Sequence, residues 1–503
     1  MIRPSLTCIG ILFFLAFPHR SVSITHPHTD TRFSYDGVLF PRHEGDHVVL
    51  NRFPDAVLQA SEGFNVDRAL VPSCVVVRFT TDSPTITAHF GTLETEKALK
   101  MPQYAVYRNG STDPGDHEEF KFPGGTENPE FTIISETPGS QVTYEILLPS
   151  LNATCFKGLV LESGYDLSPN PTWDRPVYVA IGDSITMSAG HQSKSYETFT
   201  WKFGRARGME VYNLAVSGAK TNADFGSIFP NLEPELITVL FGINDWNTAN
   251  DTGLFRSKYS ELLDNIRDDH PLTPLFCINL VAINDSVNPV GSNGLTVNAY
   301  RREIIEMIED RRNAGDSNIY LVPGHELTDS MDLQDAFHFH RQGTTKFADA
   351  LGSFVDDVLA NGTVPVIDPI PENTFSDWAA FHGINGSRDS FALNSDNDRL
   401  TRFQEFALME NPHSAARPPY SPSLRPDGTG GWTYAYPRRI NADQLGIHYE
   451  VEFSDNLRAH SWQTLALPPT DPEAINEEME MIIHELPPGE AGFVRLKITP
   501  QAE

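Results

Sequence analysis

The chain has 503 residues, too many for one ordinary domain and a length that suggests about three. Its 40% hydrophobic and 21% charged residues are globular values, enough for real cores. Lys and Arg total 37 against 67 Asp and Glu, a formal charge of -30. This excludes a partner held by its phosphate backbone and disfavours anionic membranes, because both are gripped by Lys and Arg.

The N-terminus reads as an export signal over residues 1–23. Arg3 is its positive region, Ile9 to Phe17 its apolar run, and Ser21-Val22-Ser23 its small-residue cleavage site. The run is too short to span a bilayer, and no later stretch is long and apolar enough to do so. The expected location is secreted, periplasmic or at the cell surface. Cys8 would leave with the signal. Of the remaining Cys74, Cys155 and Cys277, the first two flank strand-like runs and whether they pair is open; Cys277 sits in an apolar run.

Residues 24–170 carry a β signal. Cys74–Phe79, Pro84–Phe90, Val142–Leu148 and Gly158–Glu162 are apolar or alternating, separated by turn-rich stretches. A β-sandwich, jelly-roll-like, is expected. Within it, His43-Glu44-Gly45-Asp46-His47 matches the H-E-x-x-H zinc pattern, which needs a helix to bring both imidazoles to one metal. Pro41 before it, Gly45 inside it and Val48-Val49-Leu50 after it favour a loop leading into a strand instead.

After the proline-punctuated linker Ser168–Pro176 the texture changes to alternating strands and helices over residues 171–363. Strands are expected at Val177–Ile181, Val211–Val216, Leu236–Phe241, Leu275–Val281 and Ile319–Val322. Helices are expected at Tyr196–Arg207, Phe255–Arg267, Val297–Arg312 and Thr344–Leu359. This alternation implies an α/β doubly wound parallel sheet with helices on both faces. Chemistry-bearing residues fall just after the strands, where such sheets place their ligands: Gly182-Asp183-Ser184, Gly218, Gly242-x-Asn244-Asp245, and later Asp335-x-x-His338.

Those four blocks, in that order, resemble the SGNH (GDSL-type) hydrolases. The resemblance covers roughly Val177 to Leu359. It implies Ser184 as nucleophile, His338 as base and Asp335 as the group orienting the imidazole. It implies an oxyanion hole from the backbone N–H groups of Ser184 and Gly218 and the side-chain amide of Asn244. The chemistry is sound on its own terms: a serine hydroxyl needs a base within hydrogen-bond reach, and the base needs its tautomer held. His340 competes with His338, since both follow Asp335; the family spacing, with Gly343 five residues on, favours His338. Phe339 stands where the family usually has proline. Asp183 and Trp246 are candidate substrate-pocket residues, although Asp183 in this family orders its loop.

A second proline-rich linker opens residues 364–503. Asn394, Asp396, Asp398 and Glu405 occupy positions 1, 3, 5 and 12 of a twelve-residue loop, the oxygen-ligand spacing of a calcium site. Arg399 replaces the turn glycine, and a solvated loop capping a helix over Leu400–Met409 is the alternative. A β-region through Tyr449–Phe453 and Phe493–Ile498 would complete a small C-terminal module. The arrangement of a β-sandwich before an SGNH domain resembles carbohydrate acetyl esterases. It implies a secreted serine esterase, needing no cofactor for catalysis, that removes short acyl groups from a polysaccharide or oligosaccharide. A lipase, thioesterase or aryl esterase of the same fold is the alternative within enzymes. The other is a non-catalytic glycan-binding or cell-surface module.

Overall fold

The computed structural model describes residues 23–361 apart from 61–64, 96–99, 188–193, 249–250 and 285–296. Beyond these it describes 375, 378, 391–394, 400–409, 421–428, 431–440, 442–443, 445–458, 461–465, 472–475, 479–486 and 492–500. The export-signal reading lies outside the described residues, except for Ser23. Among the described residues no helix is long and apolar enough to cross a membrane.

The N-terminal region is two antiparallel sheets packed face to face. One runs Phe40–Glu44, His47–Asn51, Thr154–Leu161, Thr85–Thr92, Glu130–Ile134, with Ile24–Pro27 added against Thr154–Leu161. The other runs Leu167–Ser168, Val76–Thr81, Val142–Leu147, Gln103–Arg108, Glu118–Lys121, with Ser34–Asp36 beside Val76–Thr81. Alternate side chains of both sheets fill the space between them: Val48, Leu50, Ile86, Phe90 and Phe156 from one, Val77, Phe79, Tyr104, Val106 and Tyr144 from the other. Period-2 alternation is what lets each strand bury one face.

The structure refines the zinc-like pentapeptide. His43 and His47 lie on the two arms of a hairpin in which Glu44 pairs with His47, so they share no helix face. Gly45 takes φ +53 in the turn, a left-handed conformation that glycine adopts without strain. His43 stacks instead on His28, with the two Nδ1 atoms 3.0 Å apart. Cys74, Cys155 and Cys277 are all buried and free.

The second region is a five-stranded parallel sheet ordered Glu210–Ala215, Val177–Gly182, Pro234–Leu240, Leu275–Ile278, Ile319–Val322. Val177–Gly182 therefore has the next strand in sequence on one side and the one after that on the other. The strand order reverses across it while all strands stay parallel, which makes its carboxyl end the topological switch point of the sheet. The helices Phe199–Ala206 and Arg341–Asn361 pack together, as do Thr252–Asp269 and Val297–Asn313. The expected strand at 275–281 is shorter, closing at Ile278, and the expected first helix is split into a 3₁₀ turn, Ser195–Glu197, and Phe199–Ala206.

The two regions share a core. Phe53, Ala69, Cys74, Val76, Ala105, Tyr107 and Leu147 of the sandwich belong to the hydrophobic cluster of the parallel sheet. Polar groups caught at this junction are paired, as burial demands. Glu145 is fully buried and receives Arg205 at 2.7 and 2.9 Å and Arg175 at 2.6 Å. Burial opposes its ionisation, but the two guanidinium groups outweigh that and hold its carboxyl below the usual range. Trp201 Nε1 donates to Tyr107 at 2.8 Å. Arg52, fully buried, donates to the backbone carbonyls of Val71, Asn213 and Ala215.

In the last third, Thr401 caps the helix Arg402–Leu408 in a reciprocal box with Gln404, and Met409 ends it at φ +57. Ile447–Ser454 pairs with Phe493–Pro500, and Trp432–Arg439 with Met479–Glu485.

Candidate active site

Ser184 begins a four-residue helix, Ser184–Met187, immediately after the switch-point strand. Gly182 allows this turn for a steric reason. A Cβ there would stand 2.3 Å from Thr186 Oγ1 and 2.6 Å from the Leu240 carbonyl oxygen. A helix this short leaves its last carbonyls without helical partners. Two side chains supply them: Asn213 Nδ2 donates to Thr186 O at 2.9 Å, and Ser73 Oγ, from the sandwich, donates to Met187 O at 2.9 Å. The nucleophile candidate thus sits on a turn braced from both regions.

Ser184 Oγ lies 2.9 Å from His338 Nε2. His338 Nδ1 faces the Asp335 carboxylate at 2.8 and 3.1 Å. An ionised carboxylate only accepts, so Nδ1 carries the proton and Nε2 presents its lone pair to the serine hydroxyl. Burial raises the Asp335 pKa, but the N–H groups of His338 and Phe337 and the imidazole outweigh it and hold the carboxyl below its ordinary value. The structure therefore brings together the three residues singled out in the sequence. His340 is turned away: its Nε2 meets the Met331 carbonyl and its Nδ1 accepts from Gly343 N.

Asp335 and His338 reach Ser184 by a long path. The last strand, Ile319–Val322, is at the sheet's far edge, three strands from Ser184's. The segment between it and the helix Arg341–Asn361 returns across the carboxyl edge. It is shaped locally by a bridge between Leu333 and Phe339 and by Gln334 N donating to His338 O at 2.9 Å. Asn284 N donates to Ala336 O at 2.7 Å and ties the turn to the rest of the domain.

Gly218 follows the flanking strand at φ +82, a left-handed conformation that a side chain would strain. Asn244 follows the other flanking strand, and its Nδ2 donates one hydrogen to Ala219 O at 2.9 Å. A primary amide has a second hydrogen to offer. That contact also joins the Asn244 and Gly218 loops.

The pocket expectations are corrected. Trp246 has no exposed surface and packs in the core, so it does not line an open pocket. Asp183 is also buried; its Oδ1 accepts Ile185 N at 3.0 Å, which orders the turn behind the serine. Burial, with the charge of Asp245 in the same direction, raises its pKa to about 7 against the pull of the Ile185 N–H. Of the calcium-loop residues, Asp396 and Asp398 lie outside the described residues. Asn394 is exposed, and Glu405 is fully buried on the helix Arg402–Leu408. Among the described residues no group of three or more His, Cys, Asp or Glu side chains could hold a metal.

Sequence reasoning missed one cation at this site, Arg68. Its Nη1 reaches Ser217 Oγ at 2.7 Å, next to Gly218. No local signal marks it, since it arrives from 149 residues away.

Comparison with known proteins agrees with this placement. Residues 180–346 match the GDSL-like lipase/acylhydrolase family. A salicylyl-acyltransferase from a tetracycline biosynthetic pathway superposes with a TM-score of 0.55 at 20% identity, covering 69% of this chain and 99% of the other. A protein described as a GDSL-like lipase from Bacteroides ovatus gives 0.55 at 16% identity, covering 67% and 98%. A family two carbohydrate esterase from Clostridium thermocellum, solved with cellohexaose, gives 0.47 at 15% identity, covering 65% and 99%. No curated protein matches the sequence. The parallel-sheet region that carries Ser184, Asp335 and His338 is thus the part of the chain that matches the GDSL-like lipase/acylhydrolase family, over residues 180–346.

Proposed function

We propose that this domain hydrolyses short-chain carboxylic esters, with O-acetyl groups on carbohydrate as the substrate class, through an acyl-enzyme on Ser184. The observation that supports it is the continuous chain from Ser184 Oγ through the imidazole of His338 to the Asp335 carboxylate at the switch point of the sheet. Ser184 Oγ attacks the ester carbonyl as its proton passes to His338 Nε2. Asp335 stabilises the imidazolium, which then protonates the departing alcohol. The N–H groups of Ser184 and Gly218 and the free amide hydrogen of Asn244 receive the oxyanion. Water, deprotonated by the same imidazole, releases the acid. No cofactor takes part in this sequence.

The carbohydrate assignment rests on the domain pairing. A β-sandwich fused to this domain resembles carbohydrate esterases, and here it braces the nucleophile's turn directly. With residues 1–23 as an export signal, the enzyme works outside the cytoplasm.

The test is acetate release from a panel of O-acetylated polysaccharides, beside p-nitrophenyl esters of rising chain length. Wild type, Ser184→Ala and His338→Ala are run with and without a chelator. Short-acyl turnover that both substitutions abolish and a chelator spares is the expected result. Preference for long acyl chains would make it a lipase instead. No turnover on any ester would leave a glycan-binding module.

A further inference from the structure

The sandwich contributes a guanidinium to the mouth of this site. Arg68 stands on the short helix Val66–Ala69, whose cap residue Asn65 accepts Arg68 N at 3.2 Å. Its Nη1 donates to Ser217 Oγ at 2.7 Å and lies 3.6 Å from the point where a Cβ on Gly218 would stand. Among the described residues other than its chain neighbours Ser217 and Ala219, no further group comes within 4 Å of that point.

Arg68 differs from the carboxylate-paired arginines of this chain. Acidic residues outnumber basic ones by 67 to 37, and Arg175, Arg205, Arg256 and Arg267 are each paired with carboxylates. Arg68 has no carboxylate partner among the described residues. Its neighbour Arg52 is buried and directs its N–H groups at backbone carbonyls; Arg68 is only half-buried and directs one Nη at Ser217. The rest of its planar fork is left for a ligand. A guanidinium in that state suits a carboxylate, which can take two parallel hydrogen bonds.

We propose that Arg68 is a specificity-determining residue that binds a carboxylate carried by the substrate beside the scissile ester. This rests on the esterase reading above. The carboxylate can belong to the acyl half, as in a hemisuccinyl ester, or to the alcohol half, as in an acetylated uronic-acid polymer.

The experiment compares wild type, Arg68→Gln and Arg68→Lys on two matched pairs: p-nitrophenyl acetate against p-nitrophenyl hemisuccinate, and O-acetyl xylan against O-acetyl polygalacturonate. The wild type should prefer the anionic member of one pair, which names the source. In Arg68→Gln that preference in kcat/KM should fall about tenfold or more, chiefly through KM, as expected for a charge-assisted pair. Arg68→Lys should recover part of it. An equal loss on neutral and anionic esters, or no loss, would overturn the proposal. Calorimetry on the Ser184→Ala protein with succinate, oligogalacturonate and neutral xylo-oligosaccharide separates the two readings. If no ester is turned over, the esterase reading falls, yet anion binding weakened tenfold by Arg68→Gln would still uphold Arg68. Anion binding that is absent or indifferent to Arg68 would sink it.

Discussion

The serine turn and the Asp335–His338 turn meet at one hydrogen bond but are built in opposite ways. Ser184 is 4% exposed, follows a central strand, and starts a turn whose Thr186 and Met187 carbonyls accept from Asn213 and Ser73. The Asp335 side chain is 50% exposed, and its turn, which follows an edge strand, is held by one bridge and a few backbone hydrogen bonds. Ser184 is positioned by sheet topology and burial. His338 is positioned by a local hairpin that wraps back over the edge. The first should be intolerant of any change; the second should tolerate water as a partial substitute.

The largest expected effect tests that contrast in turnover. Ser184→Ala and His338→Ala should each lower kcat on the order of 10⁴-fold or more, whereas Asp335→Asn should cost at least tenfold less, because solvent reaches its carboxylate. Equal losses in single-turnover kinetics would mean the exposed turn is as demanding as the buried one. Asn244→Ala should come next, removing one oxyanion donor at about 3–4 kcal/mol of transition-state stabilisation, seen as lower kcat with KM little changed.

Asp183 sharpens the burial half of the contrast through pH. Its folded-state pKa of about 7 lies above the 3.8 of the free side chain, so the native state keeps a proton that the unfolded chain releases between those values. Stability should therefore fall as pH rises through that window, by roughly 4 kcal/mol. Asp183→Asn, which keeps the acceptor for Ile185 N, should flatten this decline in thermal melts from pH 4 to pH 8. A decline that persists would place its origin elsewhere. Smallest is Ser73→Ala, which leaves the buried Met187 carbonyl without its donor and should cost about 1–2 kcal/mol in denaturant melts. An unchanged midpoint would show that the sandwich does not brace the turn.

Much of the site was legible because its parts are local. Gly-Asp-Ser after an apolar run, a glycine and an asparagine after the next two strands, and Asp three residues before His are patterns of neighbouring residues. Strand–helix alternation is equally local, and it foretold the parallel sheet. Trp246 was misread because adjacency to Asn244 in sequence says nothing about which side of a short helix faces the core. That His43 and His47 stand on opposite arms of a hairpin shows only in the strand register, which sets His43 against Val48 and Glu44 against His47.

The sequence by itself determined which side chains could do acyl chemistry and which strands would carry them, since both depend on residue type and short-range periodicity. Only the tertiary structure decided the strand order that makes the end of Val177–Gly182 a switch point. It also decided the choice of His338 over His340 by hydrogen-bond partners, and the arrival of Arg52, Arg68 and Ser73 beside the hydrolase strands. Those contacts join residues more than 100 positions apart. No local propensity encodes them; they follow from how two hydrophobic faces bury each other.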